Sequence, residues 1–311
     1  MLLGALALGF APAGAPANHV ECGDRVTRDL RLDADLVNCA GNGLNVAADG
    51  VTIDLGGHVV DGSGRGTGIS NGFWGDGHRD VTVRNGTVRG FRLGLRSGAP
   101  GTALARLRVT RNAAGGLALR SRRCRVERNV VAGNGYGHGI FVGAVSECRI
   151  MGNRVAGHLG AGIEVSRSRA HVIERNRVTR NRVAGIVLAG TAGVRAARNV
   201  VTANSGPGVW LFDGATANEV GRNTIAANES GVLVSLGGDA NRIFGNTVSG
   251  SRGIGIRLAE AGAGNVVAGN LVVLNQRAGI VVFESPGALV ERNTVHDNGD
   301  VTASTTGRGP A

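Results

Sequence analysis

A histidine and a glutamate, one repeat apart, are the residues of this chain best suited to acid–base chemistry. His138 lies in a Tyr-Gly-His-Gly-Ile segment, and Glu164 occupies the x position of the next Gly-Ile-x-Val segment. An imidazole and a carboxylate can exchange protons with a bound molecule. Hydrolysis of a glycosidic bond, however, needs two carboxyl groups about 5 to 9.5 Å apart. Glu164 has no second carboxylate nearby. It lies three positions farther along its repeat than His138 does in the preceding one, which predicts about 11 Å between the two residues at the rise of a strand. These two residues are therefore candidate catalytic residues without an acid pair.

Aromatic side chains in the same type of segment form a candidate binding site. The x position of each Gly-Ile-x-Val unit should point outward, as should the position two residues later, because side chains alternate along a strand. On this rule Trp210 and Phe212 share one strand face, and Phe141 and Arg257 take the outward position in other repeats. An exposed aromatic pair can stack on a sugar ring, so we assign these four residues to substrate binding. The alternative is that Trp210 lies under a loop or in a contact between chains.

Acids and histidines gather in one stretch near the amino terminus. Its members are Asp54, His58, Asp61, Asp76, His78 and Asp80. A divalent ion such as calcium binds through clustered oxygen ligands and could occupy this stretch. Turn formation is the simpler explanation, because Asp61 and Asp76 each precede a glycine, as in common turn pairs. We expect no metal site and no cofactor, with calcium as the alternative.

The framework that positions these residues is a repeat of about 23 residues. Asparagine recurs at spacings of 24, 23, 23, 24, 23, 24 and 23 residues, at Asn129, Asn153, Asn176, Asn199, Asn223, Asn246, Asn270 and Asn293. In most repeats a second asparagine follows five residues later. A buried asparagine at such a position can hydrogen-bond its counterparts in the coils above and below.

Each repeat contains three short apolar segments. In one repeat these segments contribute Ile173, Val178, Ile186 and Leu188, with turn residues between them, and no helical period survives for ten residues. Coils of about this length with short strands are typical of a parallel β-solenoid. The sequence predicts about eleven coils and a rod on the order of 50 Å long at the spacing of neighbouring strands.

Four cysteines allow two disulfide bonds. Cys124 and Cys148 each lie five residues before a repeat asparagine and so occupy the same position in successive coils. Stacked positions about 4.8 Å apart let two cysteines bridge, and two reduced, buried thiols are the alternative. Cys22 and Cys39 would close a 16-residue loop before the repeats begin, which is the kind of bond that forms in an oxidising compartment.

The chain is strongly basic. All 34 basic residues are arginine, and the formal net charge is +11. Codon usage in a GC-rich genome explains arginine in place of lysine, but not the excess of base over acid, which favours anionic partners. The densest basic stretch, residues 106–128, lies within residues 81–212, where aspartate is absent. A solvated outer face is the alternative to an anion-binding groove.

The amino terminus has features of an export signal. An apolar run at residues 2–10 precedes an Ala-Pro-Ala cleavage site, although no arginine precedes the run. We expect a signal-like segment at 1–17, with a flexible apolar tail as the alternative. The further units are an amino-terminal cap with the first coil at 18–50, the β-helix at 51–298 and a flexible tail at 299–311. No segment reaches the roughly 18 apolar residues of a membrane-spanning helix, so we predict a secreted or cell-envelope protein.

The Asn-x-Val-x-x-Asn and Gly-Ile-x-Val units of residues 81–298 resemble those of the right-handed parallel β-helix family. That family includes pectate lyases, polygalacturonases, polysaccharide epimerases and the NosD-like periplasmic proteins. The resemblance implies an all-β, single-stranded, right-handed parallel β-helix and a polysaccharide as the partner.

The resemblance is weaker for activity than for fold. The Gly-His-Gly unit around His138 is similar to that of polygalacturonases, but the paired aspartates of that family are absent, as are the Asp-Pro-His unit of epimerases and the acid cluster of pectate lyases. Copper handling of the NosD kind is disfavoured, because two methionines and seven scattered histidines form no soft-ligand cluster.

The sequence therefore favours an exported β-helix that binds or modifies a polysaccharide, preferentially an acidic one, along an exposed strand face. If the protein is an enzyme, the candidate classes are polysaccharide lyase, glycoside hydrolase and epimerase. The alternative is a non-catalytic cell-surface or scaffold rod, which the missing carboxylate pair favours. We expect a polysaccharide or another anionic polymer as partner and do not expect nucleic acid; the oligomeric state stays open.

Overall fold

The computed structural model describes residues 19–72 and 75–299. Within these ranges the chain forms 34 short β-strands and no helix. The predicted signal segment at 1–17 and residues 300–311 of the predicted tail lie outside the described residues. The strands, in chain order, are β1 Asp24–Val26, β2 Leu30–Arg31, β3 Leu36–Cys39, β4 Leu44–Val46, β5 Thr52–Asp54, β6 Val59–Gly62, β7 Thr67–Asn71, β8 Thr82–Arg89, β9 Leu93–Ser97, β10 Ala103–Thr110, β11 Gly115–Leu119, β12 Arg125–Glu127, β13 Val130–Ala132, β14 Ile140–Gly143, β15 Arg149–Met151, β16 Arg154–Ala156, β17 Ile163–Ser166, β18 Val172–Glu174, β19 Arg177–Thr179, β20 Ile186–Ala189, β21 Arg195–Ala197, β22 Val200–Thr202, β23 Val209–Phe212, β24 Glu219–Gly221, β25 Thr224–Ala226, β26 Val232–Ser235, β27 Arg242–Phe244, β28 Thr247–Ser249, β29 Ile256–Ala259, β30 Val266–Ala268, β31 Leu271–Val273, β32 Ile280–Phe283, β33 Leu289–Glu291 and β34 Thr294–His296.

Every coil contributes one strand to each of three parallel sheets. Sheet 1 holds twelve strands in the order β1-β4-β7-β9-β11-β14-β17-β20-β23-β26-β29-β32. Sheet 2 begins with β2 and β5 and continues through β12, β15 and every third strand to β33, whereas sheet 3 begins with β3 and β6 and continues through β13 and β16 to β34. The longer strands β8 and β10 run through both sheets 2 and 3. The predicted all-β parallel β-helix is confirmed, with about twelve coils where the sequence indicated about eleven.

The core is a set of aliphatic columns that run along the rod. The four inward residues predicted from one repeat, Ile173, Val178, Ile186 and Leu188, are all fully buried. Strands pair in register, so that each of these side chains packs on its counterparts in the neighbouring coils. A single coil could not bury these side chains alone, and the stack supplies the core.

Glycine precedes each sheet 1 strand of the repeats because a side chain would not fit. A Cβ on Gly139 would lie 2.5 Å from Cγ1 of Val155 and 2.6 Å from the carbonyl oxygen of Gly162. The Gly-Ile-x-Val motif is therefore a packing requirement at the corner where the chain enters sheet 1.

Asparagine ladders stabilise the bend between sheets 2 and 3. The amide nitrogen and the side-chain Nδ2 of Asn153 both donate to Oδ1 of Asn176 at 2.9 Å. Nδ2 of Asn176 also donates to the carbonyl oxygen of Ile150 at 2.8 Å. The same bonds link each ladder asparagine to the next as far as Asn293. The predicted pairing of stacked asparagines is confirmed.

The other two corners carry related columns with substitutions. Between sheets 3 and 1 the column contains His158 and Ser251 among asparagines. Between sheets 1 and 2 it begins with Cys124 and Cys148, which form a disulfide, and continues through His171. The remaining members of the two columns are Asn112, Asn134, Asn181, Asn204, Asn228, Asn275, Asn298, Val194, Asn218, Asn241 and Asn265.

Both predicted disulfides are present. Cys22 bonds to Cys39 in the first coils, and Cys124 bonds to Cys148 across two adjacent coils. No free cysteine occurs in the part of the chain that the structure describes. The alternative of stacked, reduced thiols at Cys124 and Cys148 is therefore wrong for this structure.

Candidate functional site

The outward residues of sheet 1 form one straight column, as the sequence predicted. In-register pairing aligns Ala118, Phe141, Glu164, Val187, Trp210, Leu233, Arg257 and Val281. We call these eight residues the outward column. Neighbouring strands lie about 4.8 Å apart, so the four predicted binding and catalytic positions from Phe141 to Arg257 span about 24 Å.

His138 and Glu164 contact each other at one end of this span. Nδ1 of His138 lies 3.3 Å from Oε2 of Glu164, and the two side chains are 31% and 20% exposed. The predicted separation of about 11 Å is wrong for the side chains, because it counted only the rise of an extended backbone. His138 lies at the corner before β14, and the two side chains approach each other across adjacent coils. The structure thus brings the two candidate catalytic residues together.

Two groups compete for the same nitrogen of His138. The amide N–H of Ala161 donates to Nδ1 at 3.2 Å, while Glu164 lies beside that atom. A neutral imidazole that accepts from Ala161 at Nδ1 carries its proton on Nε2. A doubly protonated imidazole instead donates from Nδ1 to the carboxylate of Glu164. The pair therefore has two proton arrangements, which is a requirement for a group that exchanges protons with a ligand.

Phe141 completes this end of the site. Its ring lies 5.9 Å from the His138 ring, centroid to centroid, with an interplanar angle of 26°. Within the described strands, Glu164 is the sole carboxylate of the outward column. A two-carboxylate hydrolytic mechanism is therefore not supported on this face.

Trp210 and Phe212 form a stacked pair two coils beyond Glu164 along the rod. Their ring centroids are 4.4 Å apart at an interplanar angle of 25°. Nε1 of Trp210 donates to Oγ of Ser235 at 3.1 Å, and both rings are half-buried. Phe212 also packs on the outward residues Val187 and Ala189, which are only 2% and 6% exposed. The pair is thus a fixed, partly exposed aromatic surface.

Sequence reasoning missed some contributors to this site. Ser235, which strand alternation places outward two positions after Leu233, was not among the predicted site residues, although its hydroxyl orients the Trp210 indole. Ala161 acts through its main chain, for which side-chain identity carries no signal.

The amino-terminal acids pair with cations. Oδ2 of Asp61 accepts from Arg89 at 2.9 Å, and Asp54 lies 3.1 Å from Arg84. Asp61 lies within β6, so its interpretation as a turn residue is wrong. Among the described residues, no group of three or more His, Cys, Asp or Glu side chains is placed to hold a metal ion.

Asp35 shows how these acids are used. The amide N–H of Val59 and the imidazole of His58 both hydrogen-bond its Oδ1 at 3.0 Å. The bond from Val59, followed by that from His58, lowers the pKa of Asp35 below its usual value. Asp35 is thus an ionised partner of the neighbouring coil.

The fold and the column geometry define a right-handed parallel β-helix protein. The chain belongs to the family described as "Periplasmic copper-binding protein (NosD)", whose model matches residues 33–206, 96–252 and 183–308. No curated protein sequence matches the chain.

Solved structures of similar fold come from polysaccharide epimerases and a tailspike. The A-module of mannuronan C-5 epimerase AlgE6 from Azotobacter vinelandii is 16% identical over 91% of this chain and 90% of that chain, with a TM-score of 0.59. The A-module of AlgE4 from the same organism is 19% identical over 91% of this chain and 79% of that chain, with a TM-score of 0.57. The Dettilon tailspike protein (gp208) is 15% identical over 86% of this chain and 60% of that chain, with a TM-score of 0.56. At these identities the likeness establishes the fold.

None of the described residues belongs to a helix that is long and apolar enough to cross a membrane.

Proposed function

We propose that this protein binds an acidic polysaccharide along the outward column of sheet 1, outside the cytoplasm. The observation that carries the proposal is the stacked, partly exposed pair of Trp210 and Phe212, in line with the His138–Glu164 contact on the same sheet. Flat aromatic rings offer apolar area with little loss of side-chain freedom on binding.

The length of the column suits a polymer better than a small molecule. Parallel strands in register give a flat face, and the span from Phe141 to Arg257 is about 24 Å at the usual strand spacing. Arg257 is exposed at the far end, where its guanidinium can pair with a carboxylate or another anionic group of a sugar.

The charge of the central coils supports an acidic polymer over a neutral one. Residues 103–200 contain 18 arginines and four glutamates. Such a field raises the local concentration of anionic polymers and speeds their association. Two proteins of similar fold are named as mannuronan epimerases, which supports a polysaccharide as the ligand class.

If the bound polymer is modified, the geometry favours proton transfer over hydrolysis. Hydrolysis by the usual mechanism requires two carboxyl groups, and the outward column supplies Glu164 alone. A His–Glu pair with two proton arrangements could take a proton from a carbon next to a uronate carboxylate, as a lyase or an epimerase requires.

Copper chemistry, which the family description names, does not fit the described residues. All four cysteines are in disulfides, and one of the two methionines, Met151, lies within the described ranges. No cluster of metal-ligating side chains occurs among residues 19–72 and 75–299. We therefore assign no copper-dependent step to this chain.

A location outside the cytoplasm is supported by two observations. The family is described as periplasmic, and the chain contains two disulfides, which persist mainly in oxidising compartments. The segment at 1–17 would then be the export signal.

A non-catalytic rod is the second candidate function. Phe212 packs over Val187 and Ala189 and leaves both nearly buried. On this alternative the aromatic pair only covers an apolar patch of the sheet.

A polysaccharide panel tests these possibilities. The protein from Asn18 onward is incubated with acidic and neutral polysaccharides, and both retention and the release of reducing or unsaturated ends are measured. We expect retention on acidic polymers that Trp210→Ala weakens. Phe244→Ala is the matched control, because Phe244 is a half-buried aromatic residue on sheet 2.

The outcomes separate the candidates. New chain ends that disappear in Glu164→Gln or His138→Ala establish an enzyme. Retention without new ends establishes a binding protein. No retention on any polymer, or equal loss in the Trp210 and Phe244 variants, rejects the proposed binding face and leaves the rod.

A further inference from the structure

A cavity lined by arginines lies where three sheet 1 strands end. It has a volume of about 380 Å³ and is lined by Arg122, Ser146, Arg167, Ser168 and Arg169, together with small residues. Arg167 directly follows β17 and Gly190 directly follows β20, so the cavity lies beside the outward column and not on it. Its volume is within the range of about 300 to 1,000 Å³ that is usual for small-ligand sites.

The lining of the cavity is positively charged. Three arginines line it and no carboxylate does. Among the described residues, none of the ion pairs involves Arg122, Arg167 or Arg169. Glu147 lines the neighbouring cavity on the other side of the corner.

One further carboxylate approaches the cavity. Oδ2 of Asp213 would lie 3.7 Å from a Cβ on Gly190. It forms no ion pair within the ranges that the structure describes. Its negative charge offsets part of the charge of the three arginines, and the cavity with its surroundings keeps a net positive charge.

The walls of the cavity are held by the main chain of successive coils. Ser146, Arg169 and Ala192 are linked by parallel bridges. Oγ of Ser168 accepts from the amide of Val145 at 3.2 Å and donates to the carbonyl oxygen of Ser166 at 2.8 Å. The Cys124–Cys148 disulfide ties the adjoining coils. These bonds fix the backbone from which the arginine side chains extend, which lowers the part of the ordering cost that arises from the main chain.

We propose that this cavity binds a phosphate monoester. Guanidinium groups bind phosphate and carboxylate oxygens through paired hydrogen bonds. A phosphate monoester carries about −1.5 to −2 charge at pH 7, so it matches the excess positive charge of the lining better than a monoanionic carboxylate does. The site is separate from the proposed polysaccharide face and does not depend on it.

Calorimetric titration of the full chain with glucose 6-phosphate and with glucuronate tests the proposal. We expect glucose 6-phosphate to bind the more tightly, and Arg167→Gln with Arg169→Gln to weaken it about tenfold or more, as the loss of two charge-assisted contacts implies. The double variant Arg177→Gln with Arg222→Gln is the charge-matched control, because both arginines are exposed and lie outside the cavity lining. It should change affinity by less than about twofold, since distant exposed charges are screened.

Other outcomes overturn the proposal. Tighter binding of glucuronate would assign the cavity to carboxylates, and equal weakening by the control variant would show a general charge effect. Absence of binding by the unaltered chain rejects the site. If the double variant does not fold, the single variant Arg169→Gln and a crystal soaked with glucose 6-phosphate decide, and phosphate bound away from Arg169 contradicts the proposal. Because these titrations use no polysaccharide, their failure is independent of the proposed function.

Discussion

The amino-terminal coils and the central coils differ in the balance of acidic and basic residues and in how many of these residues form ion pairs. Between residues 24 and 80 nine aspartates occur, and several form ion pairs, such as Asp54 with Arg84 and Asp61 with Arg89. In residues 103–200 the 18 arginines face four glutamates. Of these, Glu174 is buried and lies 2.6 Å from Arg198. The first region pairs several of its acids with arginines of adjoining coils, whereas the second leaves most of its cations available to solvent or to an anionic ligand.

The two regions also differ in the residues that occupy the coil corners. Oδ1 of Asp29 accepts from the amide of Thr52 at 2.8 Å, as a ladder asparagine oxygen does. A carboxylate has no N–H to donate, so an aspartate cannot continue the chain of bonds to a further coil. Asparagine both accepts and donates, which is why ladders run through the central coils.

Placing a carboxylate in the ladder should have the largest effect. Asn176→Asp removes the donor to Ile150 and Asn199 and buries a charge at a residue that is 1% exposed. We expect a loss of about 3 to 5 kcal/mol in the free energy of unfolding, the usual cost of an uncompensated buried charge. Urea denaturation followed by circular dichroism measures it. Asp61→Asn is the control. An equal loss in the free energy of unfolding in that variant would show that the two regions do not differ in this respect.

The two disulfides should differ in their resistance to reduction. Cys22 is exposed, whereas Cys124 and Cys148 are fully buried. Removing either bond by paired Cys→Ala changes should cost about 3 kcal/mol from loop closure. In the native protein, dithiothreitol should open Cys22–Cys39 first, as alkylation and mass spectrometry would show. Simultaneous opening of both bonds would mean that the central coils unfold as readily as the first ones.

Acid should weaken the central coils before the amino-terminal coils. Burial lowers the pKa of His158 and of His171 below the ordinary value of 6.5. The unfolded chain therefore binds protons more readily, and stability that is present above pH 6.5 is lost as the pH falls through the lowered values. The pKa of Asp35 is lowered from 3.8, so protonation of this carboxylate affects stability only at more acidic pH.

Amide hydrogen exchange at pH 7 and pH 5 locates this effect. We expect faster exchange around residues 158 and 171 at pH 5 after correction for the intrinsic rates, and little change in the first coils. In His158→Asn the change near residue 158 should disappear. The variant should also gain about 1 kcal/mol from ladder hydrogen bonds, because an asparagine at this position can bond the asparagines of both neighbouring coils, as Asn181 and Asn204 do. Faster exchange at pH 5 that begins in the first coils would contradict the expectation that the central coils weaken first.

Breaking one amino-terminal ion pair should have the smallest effect. Arg89 and Asp61 are 41% and 27% exposed in their side chains. We expect Arg89→Gln to cost less than about 1 kcal/mol, as for other partly exposed pairs. Thermal denaturation at low and high salt measures the loss. A larger, salt-independent loss would show that this pair holds the first coils together.

Most of the fold could be predicted from the sequence because a solenoid repeats local rules. The asparagine spacing identified the ladders, and the position of Cys124 and Cys148 relative to it identified a stacked pair. Strand alternation placed Phe141, Glu164 and Trp210 on one outward face. Each of these inferences needs only the period of the repeat and the two-residue period of a strand.

The site could be predicted only as a set of positions. The contact between His138 and Glu164 depends on a corner in the backbone and on the reach of two side chains, which strand rise alone does not describe. Likewise, Arg122, Arg167 and Arg169 are scattered among 34 arginines in the sequence, and nothing in their spacing sets them apart. Their presence around one cavity follows from the way three coils end side by side.

The sequence by itself determined the parallel coil, its period, its three strands, its asparagine corners and its outward face, because these features arise from repeated short-range patterns. The tertiary structure alone decided which charges are paired, which histidine nitrogen meets a carboxylate and where a cavity opens. Those properties depend on distances between side chains in different coils, and a difference of a few ångströms separates a hydrogen bond from no contact.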